Sequence, residues 1–143
     1  MRATREYHPI MPTKRWKSSN TSVHHIGYHI IWCPKYRRKV LTGDISDRLI
    51  ELLHQKSEEI DIEIESVEVM PDHVHLFVKS NPINAPHFIV AQLKGFSSRM
   101  LRQEFPHLRS RFPTLWTRSY FVHSVGSISE DVVKKYIEEQ KNK

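Results

Sequence analysis

Cysteine is almost absent from this chain. Cys33 is the only one in 143 residues, so no internal disulfide can form and a disulfide-stapled secreted fold is excluded. The composition fits a reducing cytoplasm. Long apolar runs are missing as well. None approaches the ~18 residues a helix needs to cross a bilayer, so no membrane partner is expected. The N-terminus is charged but has no apolar h-region, and it does not read as a secretory signal. No internal repeat or low-complexity tract interrupts residues 23–143.

What is present suits one soluble domain able to bury a real core. Lysine and arginine number 22 against 16 acidic residues, a net charge of +6. That balance allows a polyanion as partner, and equally a merely soluble basic protein. Cys33 follows Trp32 in an apolar run, which favours a buried structural thiol over a nucleophile.

Residues 1–22 form a polar, basic segment broken by Pro9 and Pro12. Arg2, Arg5, Lys14, Arg15 and Lys17 face only Glu6. The segment reads as a flexible arm, either making phosphate contacts or serving as a plain disordered tail. Residues 23–143 read as a single domain. Val23 to Cys33 is rich in β-branched and aromatic residues and predicts a central strand stopped by Pro34. Ile45, Leu49, Leu52, Leu53 and Ile60 recur at helical spacing, predicting a helix from Asp44 to about Ile60 with Asp44 or Ser46 as N-cap. Ile62 to Val69 alternates, with one phase slip at Ser66 that predicts a bulge. Pro71-Asp72 is a tight turn, and His73 to Val78 completes a hairpin. A second helix is expected from about Ala85 to Gln103, an irregular basic stretch over Phe105 to Arg118, and a last strand from Tyr120 to Val125. Ser127-Ile128-Ser129-Glu130 matches a capping box opening a final helix to Gln140. The fold class is therefore α+β: a ferredoxin-like or RRM-like antiparallel sheet in βαββαβ order, helices on one face, and an additional C-terminal helix carrying a tyrosine.

Two features carry chemistry. In Asp72-His73-Val74-His75-Leu76-Phe77, alternation puts His73, His75 and Phe77 on one sheet face and Val74, Leu76 and Val78 on the other. Two imidazoles so placed can hold one metal ion, although a bare His-x-His also describes exposed histidines. In the last helix Tyr136 and Gln140 are four apart and share a face, a spacing that packing alone would also produce. Combined, they are specific. A phenol with a pKa near 10 is a weak nucleophile. It becomes useful if a divalent cation polarises a phosphodiester, and two histidines with a carboxamide oxygen could bind that ion. Oxygen ligands favour Mg2+ and imidazoles shift preference toward Mn2+.

The segments Trp32-Cys33-Pro34-Lys35-Tyr36-Arg37-Arg38-Lys39-Val40-Leu41, Met70 to Leu76, Leu93-Lys94-Gly95, Leu115-Trp116 with Tyr120, and Tyr136 to Gln140 occur in this order. Together they resemble the small single-tyrosine HUH transposases of insertion sequences, the TnpA proteins of the IS-two-hundred class, over about residues 23–140. The resemblance implies His73, His75 and Gln140 as ligands of Mg2+ or Mn2+ and Tyr136 as nucleophile. It implies cleavage of single-stranded DNA at hairpin ends through a 5′-phosphotyrosine, rejoined without ATP. It also implies a homodimer whose tyrosine helix can complete the other protomer's site in trans; in this chain a hinge near Gly126 would allow that exchange. Lys35, Arg37, Arg38, Lys39, Lys94, Arg99, Arg102 and Arg118, with Arg109 and Arg111 around Trp116, are candidate DNA contacts. The competing readings are a non-catalytic RRM-like nucleic-acid-binding module, whose glycine-aromatic signature is missing here, and an inactive transposase copy.

Overall fold

A computed structural model describes residues 5–7, 26–80, 83–124 and 130–142. The order of elements is β1 (Arg5–Tyr7), β2 (Ile26–Trp32), α1 (Gly43–Glu59), β3 (Glu63–Met70), β4 (His73–Ser80), α2 (Pro86–Glu104), α3 (Pro106–Arg111), β5 (Phe121–Ser124) and α4 (Glu130–Glu139). The strands form one antiparallel sheet in the order β1-β3-β4-β2-β5. From β2 onward this is the expected split βαβ arrangement.

Strand β2 sits between β4 and β5 because its apolar residues serve both faces: Ile30, Ile31 and Trp32 are all fully buried. Register places Ile30 opposite Leu76, Trp32 opposite Val74 and Val67 opposite Leu76, all on one face. On that face they join Leu49, Leu52 and Leu53 of α1 and Ile89, Val90 and Leu93 of α2 in a single core. Each such side chain contributes about 1.5–3 kcal/mol of burial. The phase slip at Ser66 is a bulge: the register shifts between Ile64 and Ser66. Without it Ile64 and Val67, three apart, could not both point into the core.

Three local expectations are corrected. Helix α1 is capped by Thr42, which makes no side-chain cap bond, rather than by Asp44 or Ser46. Gly43 takes φ +56 and turns the chain one residue earlier, a conformation open to glycine. Within the stretch expected to be irregular, Pro106 starts the short helix α3, because a proline at the first helical position forfeits no hydrogen bond. The basic arm contributes β1, which pairs Arg5 with Val69 and Tyr7 with Val67 along the outer edge of β3. The last helix begins at Glu130 and passes into a 3₁₀ turn over Gln140–Asn142. Ser127, Ser129 and Gly126, part of the expected cap and hinge, lie outside the described residues.

The segment after α3 ties the end of β2 in place. Lys35 N–H donates to Leu115 O at 2.8 Å and Thr117 N–H to Cys33 O at 3.0 Å. Trp116, placed above among the candidate DNA contacts, is core. Its indole meets Trp32 edge-on at 5.8 Å and donates to Lys94 O and Ser97 Oγ. Cys33 is fully buried, and burial pushes its thiol up to about 12, so it is a packing thiol.

Candidate active site

The face of the sheet away from α1 and α2 carries the histidines. His73, His75 and Phe77 project there from β4, His29 from β2 and His123 from β5, with His29 in register with both Phe77 and His123. The next row across the strands runs Glu68, His75, Ile31, Phe121.

Asp72, the second residue of the two-residue turn, accepts from His73 Nδ1–H at 2.8 Å. That bond, with the charges of His73 and Arg37, holds its carboxyl below the usual carboxylate range. With Nδ1 protonated, His73 keeps Nε2 as a free donor atom, the tautomer a metal ligand needs. His75 Nε2 lies 3.3 Å from His29 Nδ1, one donating to the other. Burial, then the imidazoles of His29 and His73, pushes His75 down to about 4. It is therefore uncharged at neutral pH, as coordination requires. His29 itself stacks on Phe77 at 4.9 Å and is held below its ordinary value by burial and by His123.

Helix α4 brings the other half. The Tyr136 ring lies against Phe121, centroids 5.4 Å apart, in the row that contains His75. Two strand spacings separate Phe121 from His75, about 10 Å. The Tyr136 hydroxyl donates to Ser119 Oγ at 3.4 Å, and Ser119 in turn donates to Gln140 Oε1 at 2.8 Å. Gln140 Nε2 donates to Tyr136 O, and the residue is 2% exposed. A carboxamide oxygen has two lone pairs, so Ser119 leaves one for another partner. Burial pushes Tyr136 up to about 12. The phenol is thus neutral at physiological pH, and it attacks only if its proton is withdrawn as the bond forms.

Ser119 is held from behind by Lys94. Its ammonium donates to the carbonyls of Thr117 at 2.6 Å, Arg118 at 3.4 Å and Ser119 at 3.1 Å, and burial pushes it down to about 8. Lys94 thus fastens the segment that positions Tyr136 and Gln140, instead of facing outward for a phosphate.

The expected DNA contacts divide. Arg38, Lys39, Arg99 and Arg118 are exposed, and Lys35 is half-buried with its ammonium 5.2 Å from the Tyr36 ring. Arg38, Lys39 and Arg111 line an open cavity of about 440 Å³ with Tyr36 and Phe112. Arg37, Lys94 and Arg102 are committed to the protein: Arg102 donates to Phe112 O, and Arg37 to Asp72 and α4. Sequence reasoning missed Ser119, His29 and Asp72. Ser119 lies in a stretch without periodicity, and Asp72 looks like an ordinary turn residue. Only the shared parity of His29 with Ile31 in β2 could have marked it.

Among the described residues no three His, Cys, Asp or Glu side chains converge to hold a metal, so a site built here needs the amide of Gln140. The chemistry of the donors fits a divalent cation: two imidazoles, one uncharged and one with its tautomer fixed, and a half-satisfied carboxamide oxygen. No helix of the described residues is long and apolar enough to cross a membrane.

A ferredoxin-like sheet bearing paired histidines, with a tyrosine helix laid over the same face, defines a class of protein rather than a generic α+β domain. The family described as "Transposase IS200 like" matches residues 22–140, and the chain belongs to it. It is 36% identical over 136 residues to the ISDra2 transposase TnpA of Deinococcus radiodurans, covering 94% of this chain and 96% of that one. To the transposase of insertion sequence element IS200 of Salmonella typhimurium it is 31% identical over 119 residues, 80% and 78% of the two chains. The crystal structure of a transposase from Deinococcus radiodurans superposes with a TM-score of 0.81 at 35% identity, covering 87% of this chain and 97% of that one. A REP-associated tyrosine transposase solved bound to a REP hairpin shares the fold, with a TM-score of 0.52 at 10% identity, 90% and 68% covered.

Proposed function

We propose that this transposase cuts and rejoins single-stranded DNA at hairpin-marked element ends through a covalent bond to Tyr136. The observation that carries the reading is the sharing of Ser119 by Tyr136 and Gln140 while the Tyr136 ring packs on Phe121, which lies in the cross-strand row of His75. The nucleophile and a candidate ligand are thereby held as one unit on the histidine face. A cation bound by His73, His75 and Gln140, Mg2+ or Mn2+, would polarise the phosphate and orient it for in-line attack. The Tyr136 oxygen forms the new P–O bond and gives up its proton. The bond to the 3′ oxygen breaks, and that oxygen leaves as a 3′-hydroxyl once protonated. The phosphotyrosine conserves the ester, so a second 3′-hydroxyl can displace Tyr136 with no ATP. Arg38, Lys39 and Arg118, exposed among the described residues, and Arg99, exposed beside the Phe96 ring, are candidate cations for the strand's phosphates.

The test is an adduct assay with 5′- and 3′-labelled hairpin-bearing single strands of the element's own ends, resolved on a denaturing protein gel. A protein adduct carrying only the 3′-labelled fragment is expected, lost with EDTA and in Tyr136→Phe, which removes one hydroxyl from a formed site. An adduct that persists in Tyr136→Phe would sink the assignment. The proposal includes a homodimer whose tyrosine helices can exchange so that each serves the partner's histidines. Mixing Tyr136→Phe with a His73→Ala, His75→Ala variant restores cleavage in that case and leaves the mixture inactive if each protomer works alone.

A further inference from the structure

Arg37 stands at an unusual junction. It has φ +51 and follows Tyr36 at φ +59, two consecutive non-glycine residues in the left-handed region. Such a conformation is strained and persists only where the surroundings fix it. The distortion turns the guanidinium inward, where its side chain is 16% exposed. On one side Nε meets Asp72 Oδ2 at 3.2 Å, and Asp72 uses its other oxygen, Oδ1, to hold His73 Nδ1–H. On the other side Nη1 donates to Ile137 O and to Glu138 Oε2, both at 3.3 Å and both in α4. The turn at residues 35–37 also packs on the turn at residues 140–142.

We propose that Arg37 and Asp72 form a positioning relay that couples the docking of the tyrosine helix to the orientation of His73. The proposal rests on His73 being a metal ligand, as read above. A planar guanidinium can serve two acceptors with fixed relative geometry, which a lysine ammonium does not impose. The carboxylate–imidazole bond sets the ring plane and tautomer of His73, the kind of outer contact whose loss weakens metal binding about 10–100-fold. Because Arg37 spans both, leaving the carboxylate unpaired should loosen the helix, and undocking the helix should loosen the carboxylate. Coupling of this kind is reciprocal. It would favour assembly of the cation site when Tyr136 is in place and disfavour it when the helix is away. Exposed ion pairs contribute little. The Asp72 and Arg37 side chains are mostly shielded, whereas Glu138 at 62% exposure is the weaker end, and the backbone carbonyl of Ile137 carries the link on that side.

The test compares wild type, Asp72→Asn, Arg37→Gln and Arg37→Lys, all full-length. It measures Mn2+ affinity by titration and amide exchange of α4 in metal-free protein. Asp72 reaches α4 only through Arg37 among the hydrogen bonds of the described residues. Even so, Asp72→Asn should speed α4 exchange by about tenfold without any metal present, roughly the weight of one charge-assisted bond. Arg37→Gln should weaken Mn2+ binding at least about tenfold although it touches no ligand. Arg37→Lys should recover only part of either effect. Using metal-free exchange keeps any direct contribution of Gln140 out of the measurement. Wild-type α4 exchange in Asp72→Asn, or wild-type Mn2+ affinity in Arg37→Gln, overturns the relay. A wild-type chain that binds no Mn2+ overturns the proposed function instead. If Arg37→Gln does not fold, Glu138→Gln on the exposed end takes its place. It should give a smaller loss of Mn2+ affinity in the same direction, and an unchanged affinity counts against the relay.

Discussion

Strand β4 presents two faces of different character from eight consecutive residues. Val74, Leu76 and Val78 are fully buried against the helices, while His73, His75 and Phe77 stand half-buried on the other side. The first face is specified by volume and apolarity, which many side chains satisfy. The second is specified by lone pairs, tautomers and neighbours: Asp72 for His73, His29 for His75. A period-two pattern thus places core and chemistry at alternate positions, and a substitution should damage one without the other.

The largest expected effect separates them directly. Leu76→Ala should cost about 2–5 kcal/mol of stability, since Leu76 is fully buried between two strands and the helices. Adduct formation by the molecules still folded should be unchanged. His75→Ala should reverse the pattern, with a stability change of about 1 kcal/mol and adduct formation lost. Urea denaturation followed by the adduct assay on both variants decides. Comparable stability losses in the two would mean that the histidine face is part of the core.

That division explains what could be read in advance. Strands β2, β3 and β4 and helices α1 and α2 were legible because their apolar faces repeat at 2.0 or 3.6 residues, and even the bulge appeared as a slip at Ser66. Helix α3 was not, because Pro106 looks the same whether it breaks a helix or begins one. Nor was β1, whose partner Val69 lies 64 residues beyond Arg5 in sequence. His73, His75, Tyr136 and Gln140 were legible as a motif. Ser119 was not, because what places it under Gln140 is the grip of Lys94, 25 residues earlier, on its carbonyl. The internal contacts of Arg37 were not legible for a related reason: charge is visible in sequence, but the φ of +51 at that residue is not.

A smaller effect should appear with pH. His75 titrates near 6.5 in an unfolded chain and at about 4 when folded, because burial disfavours its charged form. Between those values the unfolded chain binds a proton that the folded one does not. Stability is then highest above pH 6.5 and falls as pH drops toward 4. His29, shifted in the same direction, adds to the fall. Urea midpoints at pH 7 and pH 5 should therefore differ in the wild type and in Leu76→Ala, and differ less in His75→Ala. A midpoint that drops as far in His75→Ala as in the wild type would assign the acid sensitivity to other groups.

The smallest effect concerns the cations, which divide between fold and surface as the two faces of β4 divide between core and chemistry. Lys39 and Arg118 are exposed, whereas Arg102 donates to Phe112 O from a partly buried position. If phosphates of a single strand lie along the exposed group, Lys39→Ala and Arg118→Ala should each remove about one contact. Each would flatten the plot of log affinity against log salt by about 0.7. Arg102→Ala should leave that slope alone and lower stability by about 1 kcal/mol, the net worth of one hydrogen bond. Binding of a hairpin-bearing single strand across a salt series, beside urea melts of the same variants, makes the comparison. A slope that changes for Arg102→Ala and not for Arg118→Ala would place the strand over α2 and α3 rather than beside Ser119, because Arg118 immediately precedes the serine that holds Gln140.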